Sequence, residues 1–124
     1  MKTAVIIISD PSTGSDEALG RFRNGLVLAR DSRDAGDTVE LSFIGAGTRW
    51  PAVARELGHP AQAQYDGVRD LVRGASRSCA IVNGADQSAP AAGVALISEN
   101  GQGERPGGIS LRRYLAEGWN VVLF

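Results

Sequence analysis

The chain opens on a nearly unbroken apolar block. Thr3 to Ser9, "TAVIIIS", is rich in β-branched residues, the pattern of a strand buried on both faces of a parallel sheet. The turn formers of "SDPSTG" end it. From Ser15 the period changes: Leu19, Phe22, Leu26 and Ala29 fall on one stripe of a helix. Ser15 is its N-cap, Asp16 and Glu17 occupy the first turn, and Gly36 is the stop. In "TVELSFIG", Val39, Leu41 and Phe43 alternate with Thr38, Glu40 and Ser42, a second strand with one partly wet face.

"GAGTRW" makes the next turn, and Pro51 starts a short helix through Leu57, closed by Gly58. "HPAQAQ" opens another helical stretch whose apolar side is Tyr65, Val68, Leu71 and Val72. "SCAIV" reads as a third strand, "NGADQSAPAAG" as a loop with a helical turn, and "VALIS" as a fourth strand. After the glycine-rich loop "ENGQGERPGG", Ser110 caps a last helix bearing Leu111, Tyr114 and Leu115, and "NVVLF" is a fifth strand. Strands alternating with helices predict an α/β fold: one domain over residues 1–124, with a mostly parallel five-stranded sheet and helices on both faces. Ligands of such sheets gather beyond the carboxyl ends of the strands. Three loops lie there: Asp10–Gly14, Gly45–Thr48 and Asn83–Ser88.

Composition narrows the function without naming it. A chain of 124 residues holds one core, and a net charge of −1 lacks the basic surplus of a dedicated nucleic-acid binder. Arginine supplies twelve of the thirteen basic residues, but they are scattered. The single cysteine, Cys79, forms no internal disulfide and suits a reducing compartment. The amino terminus has too short an apolar run for a signal peptide, and nothing approaches the ~20 apolar residues of a membrane span, so a cytoplasmic location is expected.

The candidate chemistry is sparse. In the first loop, Asp10, Ser12 and Thr13 precede a helix and offer an anion-binding turn, although neither a P-loop nor a dinucleotide fingerprint is complete. Gly45 and Gly47 offer a similar nest, with Arg49 and Trp50 as ligand contacts; Asn83 and Gly84 form the third wall. His59 stands alone in a turn, so no metal site is expected, and no cofactor is implied. Cys79 has two readings. It is a nucleophilic thiol, or it is a small apolar filler, the usual role of unpaired cysteines. A terminal apolar strand, with Tyr114 and Trp119 nearby, leaves an adhesive edge that self-association would cover.

The stretches "VIIISDPSTGSDEALGRFRNGLVLA" and "GDTVELSFIGAG", the closing "VVLF" and a lone cysteine near the third strand give the chain a family likeness. It resembles the DsrE/DsrF-like family, whose TusD-like and YchN-like members belong to bacterial sulfur relays. The resemblance covers nearly the whole chain. It implies a small cytoplasmic domain that assembles into dimers, trimers or hexamers. In active members a cysteine at the third-strand loop accepts sulfur as a persulfide and passes it to a sulfur-carrier protein partner. Here that role would fall to Cys79. One departure matters: Ala80, Ile81 and Val82 follow the cysteine instead of preceding it. With the strand at Ser78–Val82, the thiol sits about 10 Å from the carboxyl rim, at about 3.3 Å per residue. Two principal functions follow: a persulfide carrier using Cys79, or a non-catalytic oligomeric module binding a small ligand or protein in the carboxyl-end crevice. A nucleotide-dependent enzyme is a third, without a complete phosphate motif to support it.

Overall fold

In the computed structural model, which describes residues 1–124, the opening strand is β1, Lys2–Ile7. Its side chains serve two cores in alternation. Val5 and Ile7 join Phe22, Leu26, Phe43, Trp50 and Tyr65, whereas Ala4 and Ile6 join Ile109 and Tyr114. This is why the run has no polar gap. Helix α1, Asp16–Asp34, starts as expected, with the Ser15 hydroxyl accepting the Ala18 amide at 3.1 Å. β2, Thr38–Phe43, then lies parallel to β1, from Lys2 opposite Thr38 to Ile7 opposite Phe43.

After β2 come helices α2, Trp50–Val53, and α3, Gln62–Asp66, then β3, Val72–Ser76, and α4, Arg77–Val82. The chain continues through α5, Ser88–Ala91, β4, Leu96–Ile97, α6, Leu111–Ala116, and β5, Asn120–Leu123. All five strands are parallel, in the order β4-β3-β2-β1-β5. Phe22 of α1, Trp50 of α2, Tyr65 of α3 and Ala89 of α5 all join the larger core, while Tyr114 of α6 joins the smaller one. The first three crossovers therefore cover one face, and the return from β4 to β5 covers the other.

The middle of the chain departs from expectation. "SCAIV" is not the third strand: Ser78–Val82 is helical, and the strand is the preceding "VRGAS". An apolar triplet is too short to carry a period, and here only Ala80 is buried while Val82 is 84% exposed. Small residues suit β3 because β4 closes tightly over it. A methyl group on Gly74 would lie 2.7 Å from the Ala95 carbonyl oxygen and 2.8 Å from Ile97 Cγ1. The register with β2 also slips, Leu41 facing Val72 and Ser42 facing Gly74, so Arg73 is the extra, unpaired residue of a bulge. The expected helix through Val72 stops at Asp66, a 3-10 turn at Arg69–Leu71 follows, and Val72 begins the strand. α2 ends at Val53 rather than Leu57, whose side chain stands in solvent.

Tyr65 is fully buried, with edge-on contacts to Phe22 and Phe43 at 5.9 and 6.2 Å. Burial pushes its phenol up to about 12. An unfolded tyrosine ionises near ~10, so between there and 12 the unfolded chain gives up a proton that the folded chain keeps. Stability is complete below that window and falls as pH rises through it. Urea unfolding across alkaline pH should show this slope, and Tyr65→Phe should flatten it.

The second face adds a charged cluster to its smaller apolar core. The Tyr114 hydroxyl donates to Glu40 at 2.5 Å, and Arg73 grips Glu99 through two nitrogens at 3.0 and 2.7 Å. Arg113 pairs with Glu40 at 3.4 Å and stacks over the Tyr114 ring at 4.5 Å. Its Nε lies 3.1 Å from Glu99, close enough for charge attraction but not aligned for a hydrogen bond. Arg73, ahead of the Ser110 amide and Arg113, holds the Glu99 carboxyl below the usual carboxylate range. The cluster ties α6 and the 98–110 loop to the sheet.

Candidate functional site

The loops Asp10–Gly14 and Gly45–Thr48 lie beyond the carboxyl ends of β1 and β2; Asn83–Ser88, expected directly after the third strand, instead follows α4 and is joined to them through Asn83. After β1, Asp10 caps the 3-10 turn Pro11–Thr13, its Oδ1 accepting the Ser12 amide at 2.9 Å. The Thr13 hydroxyl donates to the Asp10 carbonyl at 3.0 Å and lies 2.9 Å from the Ser15 hydroxyl. After β2, Gly45–Arg49 forms a second 3-10 turn. Gly45 enters it at φ +56°, and Gly47 presses its α-carbon against the Ile7–Ile8 backbone. After β3 the chain turns directly into α4.

Arg49 joins these three loops. Its Nη1 donates to both carboxylate oxygens of Asp10 at 3.0 Å and to the Ser12 hydroxyl at 3.1 Å. Its Nε donates to the Asn83 carbonyl at 2.9 Å. Asn83 in turn closes α4, its backbone amide and side-chain amide donating to the Cys79 carbonyl at 2.9 and 2.8 Å. Asp10, Ser12, Arg49, Asn83 and the Cys79 backbone therefore form one continuous chain of hydrogen bonds. Ser12 first, then Arg49, hold the Asp10 carboxyl below its ordinary range.

The expected placement of Cys79 is corrected by β3. The thiol-bearing residue does not begin a strand; it is the third residue of α4, beyond the carboxyl end of β3, and is half-buried. The Ser78 amide next to it donates to the Gly107 carbonyl at 2.9 Å, so the 98–110 loop packs against the start of α4. Gly84 turns the chain away at φ +68°.

Three amides of the first loop, and one amide of the second, are already engaged within the chain. The Ser12, Thr13 and Gly14 amides bond to Asp10 Oδ1, the Asp10 carbonyl and the Pro11 carbonyl, and the Gly47 amide bonds to the Ile44 carbonyl. Arg49 and Asp10 neutralise each other at the centre. A shallow cleft of about 340 Å³ runs beside them, lined by Asp10, Thr13, Glu17 and Arg21 among others. A smaller one of about 140 Å³ lies between Ser15, Trp50 and His59. Trp50 is its floor rather than a free ligand contact, since only 2% of the residue is exposed and its Nε1 donates to the Ser9 carbonyl at 2.8 Å. His59 accepts the Ala61 amide on Nδ1 at 3.1 Å and packs edge-on to Trp50.

Sequence reasoning placed the first two loops at the ends of their strands but missed Arg49 as the tie to the third. The available signal was that it is the one basic residue at these three turns. No three His, Cys, Asp or Glu side chains are grouped to hold a metal ion, and no helix is long and apolar enough to cross a membrane. Set against protein-family models, curated proteins and solved structures, the chain matches none of them.

Proposed function

We propose that this protein is a small carrier of the sulfur-relay type, with Cys79 as the sulfur acceptor. One observation carries the reading: Cys79 lies past the carboxyl end of β3, half-buried, on a helix anchored through Asn83 to the loops after β1 and β2. Parallel sheets place their chemistry at that rim. The step is a thiolate exchange. The Cys79 sulfur attacks the outer sulfur of a persulfide donor and a new S–S bond forms. The donor's own S–S bond breaks, and the donor leaves as a thiolate. A thiol of a partner protein then removes the outer sulfur in the same way.

Treating the native protein with a low-molecular-weight persulfide should raise its intact mass by one sulfur atom. Cys79→Ser should show no such gain. A wild-type protein that stays unmodified, and whose thiol reacts with an alkylating agent only after unfolding, would refute the assignment.

A second reading, a non-catalytic binding module, is favoured by the fact that Cys79 lines none of the surface clefts. On that reading Cys79→Ala keeps full function.

A further inference from the structure

β5 pairs with β1 alone and leaves its other side open. Phe124, just beyond the strand, directs both backbone groups at β1: its N–H donates to Ile6 at 2.9 Å and its carbonyl accepts from Ile8 at 2.7 Å. Backbone groups of successive residues point to opposite sides of a strand. Val122, opposite Val5, therefore also faces β1, while Val121 and Leu123 turn their N–H and C=O groups outward. Asn120–Phe124 contains no charged side chain, no proline and no bulge, three of the devices that protect an edge. Leu123 is 53% exposed, and Val121 on the same face packs against the smaller core. The opposite edge, β4, is only two residues long and offers no comparable seat.

We propose that β5 is the interface of a two-fold homodimer, in which it pairs antiparallel with β5 of a second copy about an axis through Val122. This register is the one that satisfies the outward groups. It sets Val121 opposite Leu123 of the second copy, and each such pair exchanges two backbone hydrogen bonds. The same pairing lays the exposed Leu123 side chain over Val121 of the other copy, since directly opposed residues share a face. Val122 meets its own counterpart at the axis. Because the strand is uncharged, symmetry brings no like charges together, and this lets one sequence serve as its own partner. The two sheets become one continuous sheet. The proposal is independent of the chemistry at Cys79.

Sedimentation velocity over a range of protein concentrations provides the test. Wild type is expected to be dimeric. Leu123→Pro removes an outward N–H while keeping the Val122 and Phe124 bonds to β1, and should sediment as a monomer with an unchanged circular dichroism spectrum. Leu123→Lys, which places a charge at the seam, should do the same and decides the matter if the proline variant does not fold. Val122→Cys in a Cys79→Ser background should oxidise to a covalent dimer, because opposed residues at a non-hydrogen-bonded position lie about 4.5 Å apart at Cα. A monomeric wild type, a dimer that neither Leu123 variant weakens, or a Val122→Cys protein that never cross-links would overturn the proposal.

Discussion

Gly47→Ala is expected to cost about 3 kcal/mol or more of stability, a large effect for a single methyl group. The new carbon would run into the Ile7 carbonyl oxygen, 2.8 Å from its carbonyl carbon and 3.2 Å from Ile8 Cα. Backbone cannot swing aside as a side chain can. Either the Gly45–Arg49 turn lifts or the end of β1 bends, and both changes move Arg49 away from Asp10. Urea denaturation should show the lower midpoint. In a variant that remains folded, faster backbone amide exchange at Ser12 would report the disturbed Asp10 anchor. A stability within about 0.5 kcal/mol of wild type, the range of inert surface substitutions, would show that the turn does not press on β1.

Trp50→Ala should lose about 3–5 kcal/mol, the range for removing a large buried aromatic. The indole meets the Phe22 ring edge-on at a centroid distance of 4.1 Å and lies beneath His59. Its Nε1 donates to the Ser9 carbonyl at 2.8 Å and lies 3.2 Å from the Ser9 hydroxyl. Alanine empties the space between α1 and the β1 loop and removes that donor together. Trp50→Phe separates the two contributions. It keeps most of the ring contact and should lose about 1–2 kcal/mol, mainly through the missing donor. Circular dichroism is the suitable probe, because Trp119 remains as a second indole emitter. Equal losses for both substitutions would place the stabilisation in the hydrogen bond instead of the packing.

Where periodicity ran long enough, the fold was legible. β1 is apolar from Ala4 to Ile7 because both faces are covered there, and α1 shows its stripe over several turns with a capping serine at its start. The partly wet side expected of β2 holds Glu40 and Ser42, and the structure covers it with Tyr114 and arginine side chains. Periodicity failed at Val72–Val82, where strand and helix are each too short to establish a repeat. There the strand is decided by tertiary fit, with Gly74 admitting Ile97, and the more apolar triplet falls in a short helix that buries only Ala80 of the three. For the candidate site, topology placed the loops after β1 and β2 correctly, but it reached Asn83–Ser88 through a strand at Ser78–Val82 that is in fact a helix. That Arg49 would bond across two of them depended on distances between residues far apart in sequence, which no local pattern encodes.

The two sides of the sheet are fastened by different forces. On one side, buried rings and aliphatic chains from α1, α2 and α3 supply the attachment; on the other, a smaller apolar core is joined by four alternating charges around Tyr114. Cooling weakens apolar attachment and leaves ion pairs in place, whereas added electrolyte screens ion pairs and leaves apolar contact in place. Added salt thus acts chiefly on the second side of the sheet, where the ion pairs are concentrated, while cooling acts on the apolar contacts of both.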